Sequence, residues 1–194
     1  MWPDPITLAG THAVLEPLSR AHVADLTEAA ASVQGLWYTM IPTPDGVADE
    51  IDRRCDLQSK GSMLPFAILD ARGRAVGMTT YMNIDAANRR VEIGSTWLGK
   101  SAQRGPVNTE CKLMLLRHAF EALDCIAVEF RTHFMNVQSR RAIERLGAKF
   151  DGVLRNHMVM ENGSLRDTAV YSILPGEWPA VRANLEFQLT RPRN

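Results

Sequence analysis

Residues 136–150 of this chain read NVQSRRAIERLGAKF and are the strongest indication of its architecture. The stretch has the pattern of a strand end followed by a short helix over residues 139–146, which Gly147 ends because glycine commonly terminates helices. A longer helix, predicted over residues 108–123, precedes it and also begins at an asparagine. Each helix start follows a predicted strand and leaves backbone N–H groups without helical partners. The sequence therefore predicts two helix starts that can bind phosphate.

The rest of the chain alternates strands and helices and contains no internal repeat. Hydrophobic periodicity predicts strands within residues 6–18 and over residues 65–70, 75–83, 91–98 and 125–134. It predicts further helices over residues 19–32, 47–57 and 177–185. This order is typical of an α+β fold.

Two strand segments carry more specific expectations. On the strand of residues 91–98, alternation places Val91, Ile93, Ser95 and Trp97 on one face and Glu92, Gly94 and Thr96 on the other. Near the C-terminus, residues 153–160 and 168–174 form a predicted hairpin around Asn162-Gly163. This pair is the one that a two-residue type I′ turn requires, since both central residues then have positive φ.

Composition limits the possible partners. The chain has 194 residues, of which 45% are hydrophobic, so it can bury a full core and is expected to form a single domain over residues 1–194. Its 22 basic and 22 acidic residues give a formal net charge of zero. The arginines occur in scattered pairs and no basic tract is present, which argues against a nucleic-acid partner.

Cysteine usage and the N-terminal sequence indicate a cytoplasmic protein without a metal. The three cysteines, Cys55, Cys111 and Cys125, are widely spaced and form no zinc-ligand pattern with the five histidines. The N-terminal residues lack the pattern of a signal peptide, and no apolar stretch is long enough for a membrane span. We therefore expect a soluble protein of the reducing cytoplasm that holds no metal and contacts no membrane.

Three segments of this chain resemble the acetyl-CoA core of the GNAT superfamily of N-acetyltransferases. They are VEIGSTW from Val91, VNTECKL from Val107 with HAFE from His118 in the same helix, and the asparagine-led stretch from Asn136. Within the superfamily the chain is most similar to the RimJ/RimL-like group, which includes acetyltransferases of ribosomal-protein N-termini. The resemblance covers roughly residues 10 to 185 and implies a three-layer α/β/α arrangement. Its twisted, mostly antiparallel sheet would splay between the fourth and fifth strands, here residues 91–98 and 125–134.

The same resemblance implies where acetyl-CoA binds. Its pantetheine chain would pair with the backbone of the fourth strand at Thr96, Trp97 and Leu98, as an added strand does. Its pyrophosphate would lie at the start of the long helix, where the dipole is positive. The residues implied there are Gln103, Arg104, Gly105, Val107, Asn108 and Thr109. At the second helix start, Asn136, Ser139 and Arg140 would contact the cofactor.

The phosphate loop departs from the family pattern, Arg/Gln-x-x-Gly-x-Gly/Ala. In this chain Pro106 and Asn108 replace both small residues. Proline has no N–H group, so one phosphate donor is missing unless Arg104 or the Gly105 amide compensates. Considered alone, Gly105-Pro106 is better explained as an ordinary turn before a helix than as a phosphate loop.

Acetyl transfer to an amine needs few side chains. The amine must lose a proton, the developing oxyanion needs an N–H donor, and the leaving thiolate needs a proton. Glu92 is the candidate base, with a salt bridge to Arg89, Arg90 or a cross-strand neighbour as the alternative. The resemblance implies that Ser139 protonates the thiolate, and no cysteine lies where an acyl-enzyme would form. His133 is a weaker candidate for the base.

The remaining aromatic and partner assignments stay open at this point. Trp37 and Tyr38 either line the substrate entrance or pack under the sheet, whereas Tyr81 and Tyr171 are expected to pack in the core. The acceptor is a primary amine, either a peptide N-terminus or a small molecule. A non-catalytic acyl-CoA-binding or sensor protein is the alternative function, which Pro106 favours, and a longer acyl donor such as succinyl-CoA is a further one. A homodimer is possible by family analogy.

Overall fold

The computed structural model describes residues 2–33 and 35–191, in which one eight-stranded sheet is flanked by helices. The strands are β1 (Leu8–Ala9), β2 (Ala13–Pro17), β3 (Met63–Asp70), β4 (Ala75–Asp85), β5 (Arg90–Leu98), β6 (Ala127–His133), β7 (Lys149–Val159) and β8 (Leu165–Ile173). The helices are α1 (Val23–Ala31), α2 (Val47–Ser59), α3 (Val107–Arg117), α4 (Val137–Leu146) and α5 (Trp178–Thr190). Every strand and helix that periodicity predicts is therefore present, with differences at the ends.

The sheet is splayed where the resemblance predicts it. Its order is β1-β2-β3-β4-β5-β6-β8-β7, and all neighbours are antiparallel except β5 and β6, which are parallel. These two strands pair only where Arg90–Glu92 lies opposite residues 127–129, and they part beyond Glu92. They are the family's fourth and fifth strands, since the short β1 adds one strand at the edge. The predicted α+β fold with its splayed sheet is confirmed.

Two apolar clusters cover the two faces of the sheet and give the three predicted layers. One face packs against α3 and α5 through residues such as Leu115 and Val181, and we call it the α3 face. The opposite face packs against α1 and α2 through Leu26 and Ile51, and we call it the α2 face. Burial of these helix faces excludes water from both sides of the sheet, which is the main stabilising contribution of such layers.

A β-bulge in β5 corrects the predicted alternation. Trp97 pairs with Met78 and Gly94 pairs with Thr80, so two residues of β5 lie opposite a single residue of β4. Ser95 lies in this bulge with a positive φ of 46°. Because the extra residue reverses the alternation, Trp97 packs on the α2 face although Val91 and Ile93 pack on the α3 face. The prediction that Glu92 and Trp97 face opposite sides was wrong, since both lie on the α2 face.

The two helix starts differ from one another. At α4 the Asn136 side chain accepts the Ser139 N–H at 3.0 Å, so the predicted asparagine cap is confirmed, and the helix begins two residues earlier than predicted. Such a cap stabilises a helix by about 1 kcal/mol. At α3 the N-cap is Pro106, and Asn108 lies inside the first turn without capping it. The predicted asparagine start of this helix was wrong, because proline suits the first positions, where its missing N–H costs nothing.

The β7–β8 hairpin closes with a different turn from the predicted one. Met160 N–H donates to Ser164 O and Gly163 N–H donates to Met160 O, each at 2.8 Å. The loop therefore has three residues, and only Gly163 of the Asn162-Gly163 pair has a positive φ. Asn162 instead accepts the Ser164 N–H through its side chain at 3.0 Å. This side-chain bond holds Asn162 in an ordinary turn conformation, so the type I′ turn does not form.

Glu110 joins the start of α3 to the edge of the sheet. Its buried carboxylate accepts three backbone N–H groups, from Thr11 at 2.9 Å, His12 at 2.6 Å and Ala13 at 2.8 Å. Gly10 is required beside it, since a Cβ there would lie 2.5 Å from the carboxyl group. The carboxylate thus points toward β2 and away from the loop before α3. Such charge-assisted bonds stabilise more than neutral ones.

We expect Glu110→Gln to lower the free energy of unfolding by about 2 kcal/mol, because an amide nitrogen would face N–H donors where an oxygen now accepts. Urea denaturation measures the change, with Glu161→Gln as the control, since Glu161 is exposed in the β7–β8 turn. Surface changes of that kind stay within about 0.5 kcal/mol. Equal unfolding midpoints for the two variants would contradict the assigned role of the carboxylate.

Candidate active site

A cavity of about 370 Å³ opens where β5 and β6 part. Its walls come from these two strands, from α3 and α4, from the β7–β8 hairpin and from the segment of residues 38–41. Seven of the residues predicted for the base and the cofactor site line it: Glu92, Thr96, Trp97, Asn108, His133, Asn136 and Ser139. The other predicted cofactor residues lie outside this lining: Leu98, Gln103, Arg104, Gly105, Val107, Thr109 and Arg140. The sequence thus identified lining residues on the strands and helices, whereas the predicted loop residues Gln103, Arg104 and Gly105 are not part of the lining.

The residues outside the cavity have defined positions of their own. Gln103 Nε2 donates to Leu98 O at 2.8 Å, which ties the loop before α3 to the end of β5. Arg140 Nε donates to Tyr171 Oη at 3.0 Å, and its guanidinium lies 4.5 Å from the ring centre of Phe134. Arg140 is therefore half-buried against aromatic side chains. Tyr171 is buried, as the sequence predicts for a packing residue.

Arg54 fixes the bulge in β5 from the α2 face. Its side chain is only 1% exposed, and its Nη1 donates to Thr80 Oγ1 at 2.9 Å and to Ser95 O at 3.2 Å. Its Nε donates to Glu50 at 2.7 Å, which balances the buried charge. Sequence reasoning missed this residue. The available signal was the position of Arg54, which lies three residues after Ile51 and therefore on the same, buried face of α2.

Three of the residues that line the cavity each carry a buried polar atom without a partner in the described chain. Among the described residues, four buried side-chain nitrogen or oxygen atoms have no hydrogen-bond partner. Three of them, Trp97 Nε1, Asn108 Oδ1 and His133 Nε2, belong to residues that line this cavity. Buried polar groups are nearly always paired, and an unpaired one is costly. Their concentration at one place indicates a site for a polar ligand.

His133 can act as a donor in this cavity. Its Nδ1 accepts the Met135 N–H at 3.1 Å, so the proton of the neutral ring lies on the unpartnered Nε2. Burial, with a smaller contribution from the positive charge of Arg166, lowers the pKa of His133 and keeps the ring neutral. The Trp37 and Tyr38 rings pack against it, with centroid distances of 5.1 Å and 5.9 Å. Trp37 is 54% exposed, so this pair lies beside the cavity rather than under the sheet.

Lys112 is a buried cation on the α3 face of the site. Its Nζ donates to Thr96 Oγ1 at 2.8 Å and lies 3.4 Å from Thr79 Oγ1. Across the described residues it has no ion pair with a carboxylate, and burial lowers its pKa to about 8. Asn108 stands one turn earlier on α3, so both side chains reach the same cavity. The missed signal was this pair of polar residues, four apart, on a helix whose other buried residues are mostly apolar.

Glu92 is the only carboxylate among the described residues that line the cavity. It is 4% exposed, it accepts a hydrogen bond from Asn83 Nδ2 at 2.7 Å, and it lies 3.4 Å from Arg131 Nε on β6. Burial raises its pKa, which favours a group that can take up a proton. Arg89 and Arg90 pair instead with Asp124 and Glu129, so the neighbour that pairs with Glu92 is the cross-strand Arg131.

The cavity holds groups for proton transfer and hydrogen bonding rather than for metal chemistry. Ser139 brings a hydroxyl from the start of α4, and Asn108 and Asn136 bring amides. Within residues 2–33 and 35–191, no group of three or more metal-ligating side chains is present. In the same ranges, no helix is long and apolar enough to cross a membrane.

Lys112 should make stability depend on alkaline pH. Because its pKa is about 8 in the folded protein against an ordinary 10.5, the unfolded chain binds more protons between these values. Stability from this group therefore rises with pH through that window, and below it the buried charge costs about 3 kcal/mol. We expect Lys112→Met to be more stable than the wild type at pH 7 and to lack this rise.

Chemical denaturation at pH 7, 8, 9 and 10 measures both effects, with the exposed Lys100→Met as the matched control. The control should keep the wild-type dependence on pH. Parallel pH curves for the wild type and Lys112→Met would refute the assignment of a depressed pKa to this lysine.

Comparisons with known proteins agree with this geometry. A model of the acetyltransferase (GNAT) domain matches residues 12–149. The YdaF protein of Bacillus subtilis (strain 168), provisionally named a ribosomal N-acetyltransferase, is 34% identical over 107 residues, which cover 55% of this chain. The match spans 57% of the length of that curated relative.

Solved structures extend the likeness over nearly the whole chain. A GCN5-related N-acetyltransferase from Brucella melitensis is 35% identical with a TM-score of 0.84, over 97% of this chain and 87% of that one. RimL, a ribosomal-protein α-N-acetyltransferase solved in complex with coenzyme A, has a TM-score of 0.73 over 87% of this chain and 98% of its own. Its identity is only 16%, so this likeness concerns the fold alone. Together with the splayed sheet, the family match shows that this chain belongs to the GNAT acetyltransferase domain family.

Proposed function

We propose that this protein is an acetyl-CoA-dependent N-acetyltransferase that moves the acetyl group directly from the thioester to a primary amine. We also propose that residues 1–194 form one such domain. The observation that carries the proposal is the set of three unpartnered polar atoms on residues that line the cavity at the splay. They comprise one acceptor, Asn108 Oδ1, and two donors, which is the complement that an amide-containing ligand needs.

The residues on the α3 face fit coenzyme A. Beyond Glu92 the side of β5 that faces β6 has no paired strand in the described chain, so its backbone groups are open to an added strand. Asn108 Oδ1 can accept an amide N–H of the pantetheine chain. Lys112 adds a positive charge to the same wall. We assign Thr96, Trp97 and Leu98 to the pantetheine on this basis.

Pro106 does not disable the start of α3. The first helical bond of α3 runs from Glu110 N–H to Pro106 O, so the N–H groups of Val107, Asn108 and Thr109 have no partner within the helix. Pro106 removes only its own donor and leaves these three for the pyrophosphate. Gln103, Arg104 and Gly105 precede them, with Arg104 at a positive φ of 59°. At the start of α4, Asn136, Ser139 and Arg140 stay candidates for the cofactor as well.

We assign different roles to the residues on the two faces of the splay. Acetyl-CoA supplies an activated thioester, and the residues of the chain bind it from the α3 face. On the α2 face Glu92 takes up the proton that the amine must lose, and the raised pKa suits this role. A backbone N–H of β5 next to the bulge stabilises the negative charge that develops on the thioester oxygen. Ser139 returns a proton to the leaving sulfur. A homodimeric state and a cytoplasmic location stay predictions.

Calorimetry of acetyl-CoA binding tests the cofactor assignment. We expect Asn108→Asp to weaken binding at least tenfold, because a carboxylate replaces an acceptor beside the bound phosphates. The variant should stay folded, since its new charge faces Lys112 one turn along α3. Asn162→Asp, in the β7–β8 turn, is the matched control and should bind like the wild type. Unchanged affinity of Asn108→Asp would remove this residue from the cofactor site.

A separate measurement distinguishes an enzyme from a sensor. Consumption of acetyl-CoA above background with a panel of primary amines supports catalysis. Tight binding with no turnover for any amine would instead support the acyl-CoA sensor. Parallel assays with succinyl-CoA identify a longer donor.

Glu92→Gln should lower kcat by about 10²-fold or more, since general-base assistance has this size. As Glu92 must be ionised and its pKa is raised, the wild-type kcat should fall as pH falls through that raised pKa. The variant should lack this acidic limb when the acceptor amine is saturating. Glu129→Gln is the control, because Glu129 also pairs with Arg131 but does not line the cavity. An identical acidic limb in both variants would assign the titration to another group.

A further inference from the structure

The α2 face of the cavity carries an excess of positive charge. Val128 and Phe130 face the α3 cluster, so Arg131 and His133, which alternate with them on β6, lie on the α2 face. On β8 the same alternation from Ala169 places Thr168 and Arg166 there too. All four residues on this face line the cavity together with Glu92, its only lining carboxylate among the described residues.

Glu92 is already paired, but Arg166 is not. Glu92 lies beside Arg131 and Asn83, and Glu129, the other nearby carboxylate of β6, pairs with Arg90 and Arg131. Asp167 points away from the cavity and pairs with Arg155. In the described chain no carboxylate lies within ion-pair distance of Arg166.

Arg166 is held in place with two nitrogens still free to donate. Its Nε donates to Thr168 Oγ1 at 3.0 Å, and this hydroxyl also contacts His157 Nδ1 at 3.1 Å. Neither Nη atom makes a hydrogen bond to a described residue. A half-buried guanidinium in this state presents two parallel donors, the arrangement that binds a carboxylate bidentately. Burial lowers the pKa of Arg166, and the charge of Glu92 opposes this shift without forming an ion pair.

His133 adds a second kind of donor to the same region. It is opposite Thr168 in the β6–β8 register, it lines the cavity, and its buried Nε2–H has no partner among the described residues. A neutral imidazole N–H beside a guanidinium attracts an anion and repels a second cation. The α2 face therefore offers unpaired hydrogen-bond donors, whereas Asn108 Oδ1 on the α3 face is an unpaired acceptor.

We infer that the acceptor carries a carboxylate close to its reactive amine, and that Arg166 and His133 bind this carboxylate while Glu92 faces the amine. The inference rests on the proposed function, because it concerns the acceptor of the same reaction. A carboxylate close to an amine has two sources, the α-carboxylate of a free amino acid and an acidic side chain next to a peptide N-terminus. Both present the same group to Arg166.

Matched acceptor pairs test the inference. Alanine is compared with alaninamide, and a peptide beginning Ala-Asp with one beginning Ala-Asn. We expect the wild type to favour the carboxylate member of at least one pair by about tenfold or more in kcat/KM, the size of one charge-assisted interaction. Preference within the amino-acid pair assigns the α-carboxylate, and preference within the peptide pair assigns the acidic side chain.

Arg166→Gln should abolish this preference by raising the KM of the carboxylate member. The KM of acetyl-CoA and the rate with the amide member should change by less than about twofold. Arg155→Gln, on β7, is the matched control, since Arg155 is exposed and does not line the cavity. Equal rates for both members with the wild type, or an equal loss for both with Arg166→Gln, would overturn the inference.

A binding measurement keeps the inference testable if no amine is acetylated. Calorimetry with coenzyme A present compares the affinity of each carboxylate member with that of its amide. A preference of about tenfold that Arg166→Gln removes would support the anion site even if the proposed catalysis fails. The absence of any preference in binding and in turnover would reject the site while leaving acetyl transfer to other amines intact.

Discussion

The contact between the Arg54 guanidinium and the Ser95 carbonyl is the constraint on which the site depends. Ser95 has a backbone conformation that costs free energy for a residue with a side chain. It is held there by the buried Arg54 guanidinium, whose two Nη atoms donate to the Ser95 carbonyl. The bulge that results exchanges the two faces of β5. Glu92, before it, faces α2, whereas Thr96, after it, faces Lys112 on α3. One extra residue thus places Glu92, the proposed base, and Thr96, a proposed cofactor residue, on opposite faces of one strand.

The constraint also explains what sequence could and could not predict. The helix start at Asn136 was predictable because its cap joins residues only three apart and needs a residue type, asparagine, that is visible in the sequence. The splay followed from the family resemblance and was confirmed. The face on which Trp97 lies was not predictable, because the alternation of residues along β5 does not reveal a bulge. The bulge is stabilised by Arg54, which is distant in the sequence. Arg131 and Arg166 were overlooked for a similar reason, because strand alternation alone does not reveal which face will be left open.

The buried polar groups of this cavity, which are the candidates for ligand binding, lower the free energy of unfolding. Among the described residues Lys112 is buried without a carboxylate partner, and Trp97, Asn108 and His133 each bury an unpaired polar atom. All of these lower the free energy of unfolding of the isolated chain, so the fold must compensate elsewhere. Glu110 provides one such compensation, since its three backbone hydrogen bonds secure α3 close to the residues that carry the cost. A ligand that satisfied the unpaired atoms would stabilise the folded state in proportion to its affinity.

The parallel seam between β5 and β6 has a consequence for the depth of the site. Only three residue pairs join the two strands, and the last of them contains Glu92. The two halves of the sheet therefore form a wedge whose apex is fixed by backbone pairing rather than by side-chain packing. Substitutions along the walls can change which molecule enters the wedge, but they leave its apex at the same residue. The length of the seam, rather than the identity of the lining side chains, thus sets how far a reacting group can travel.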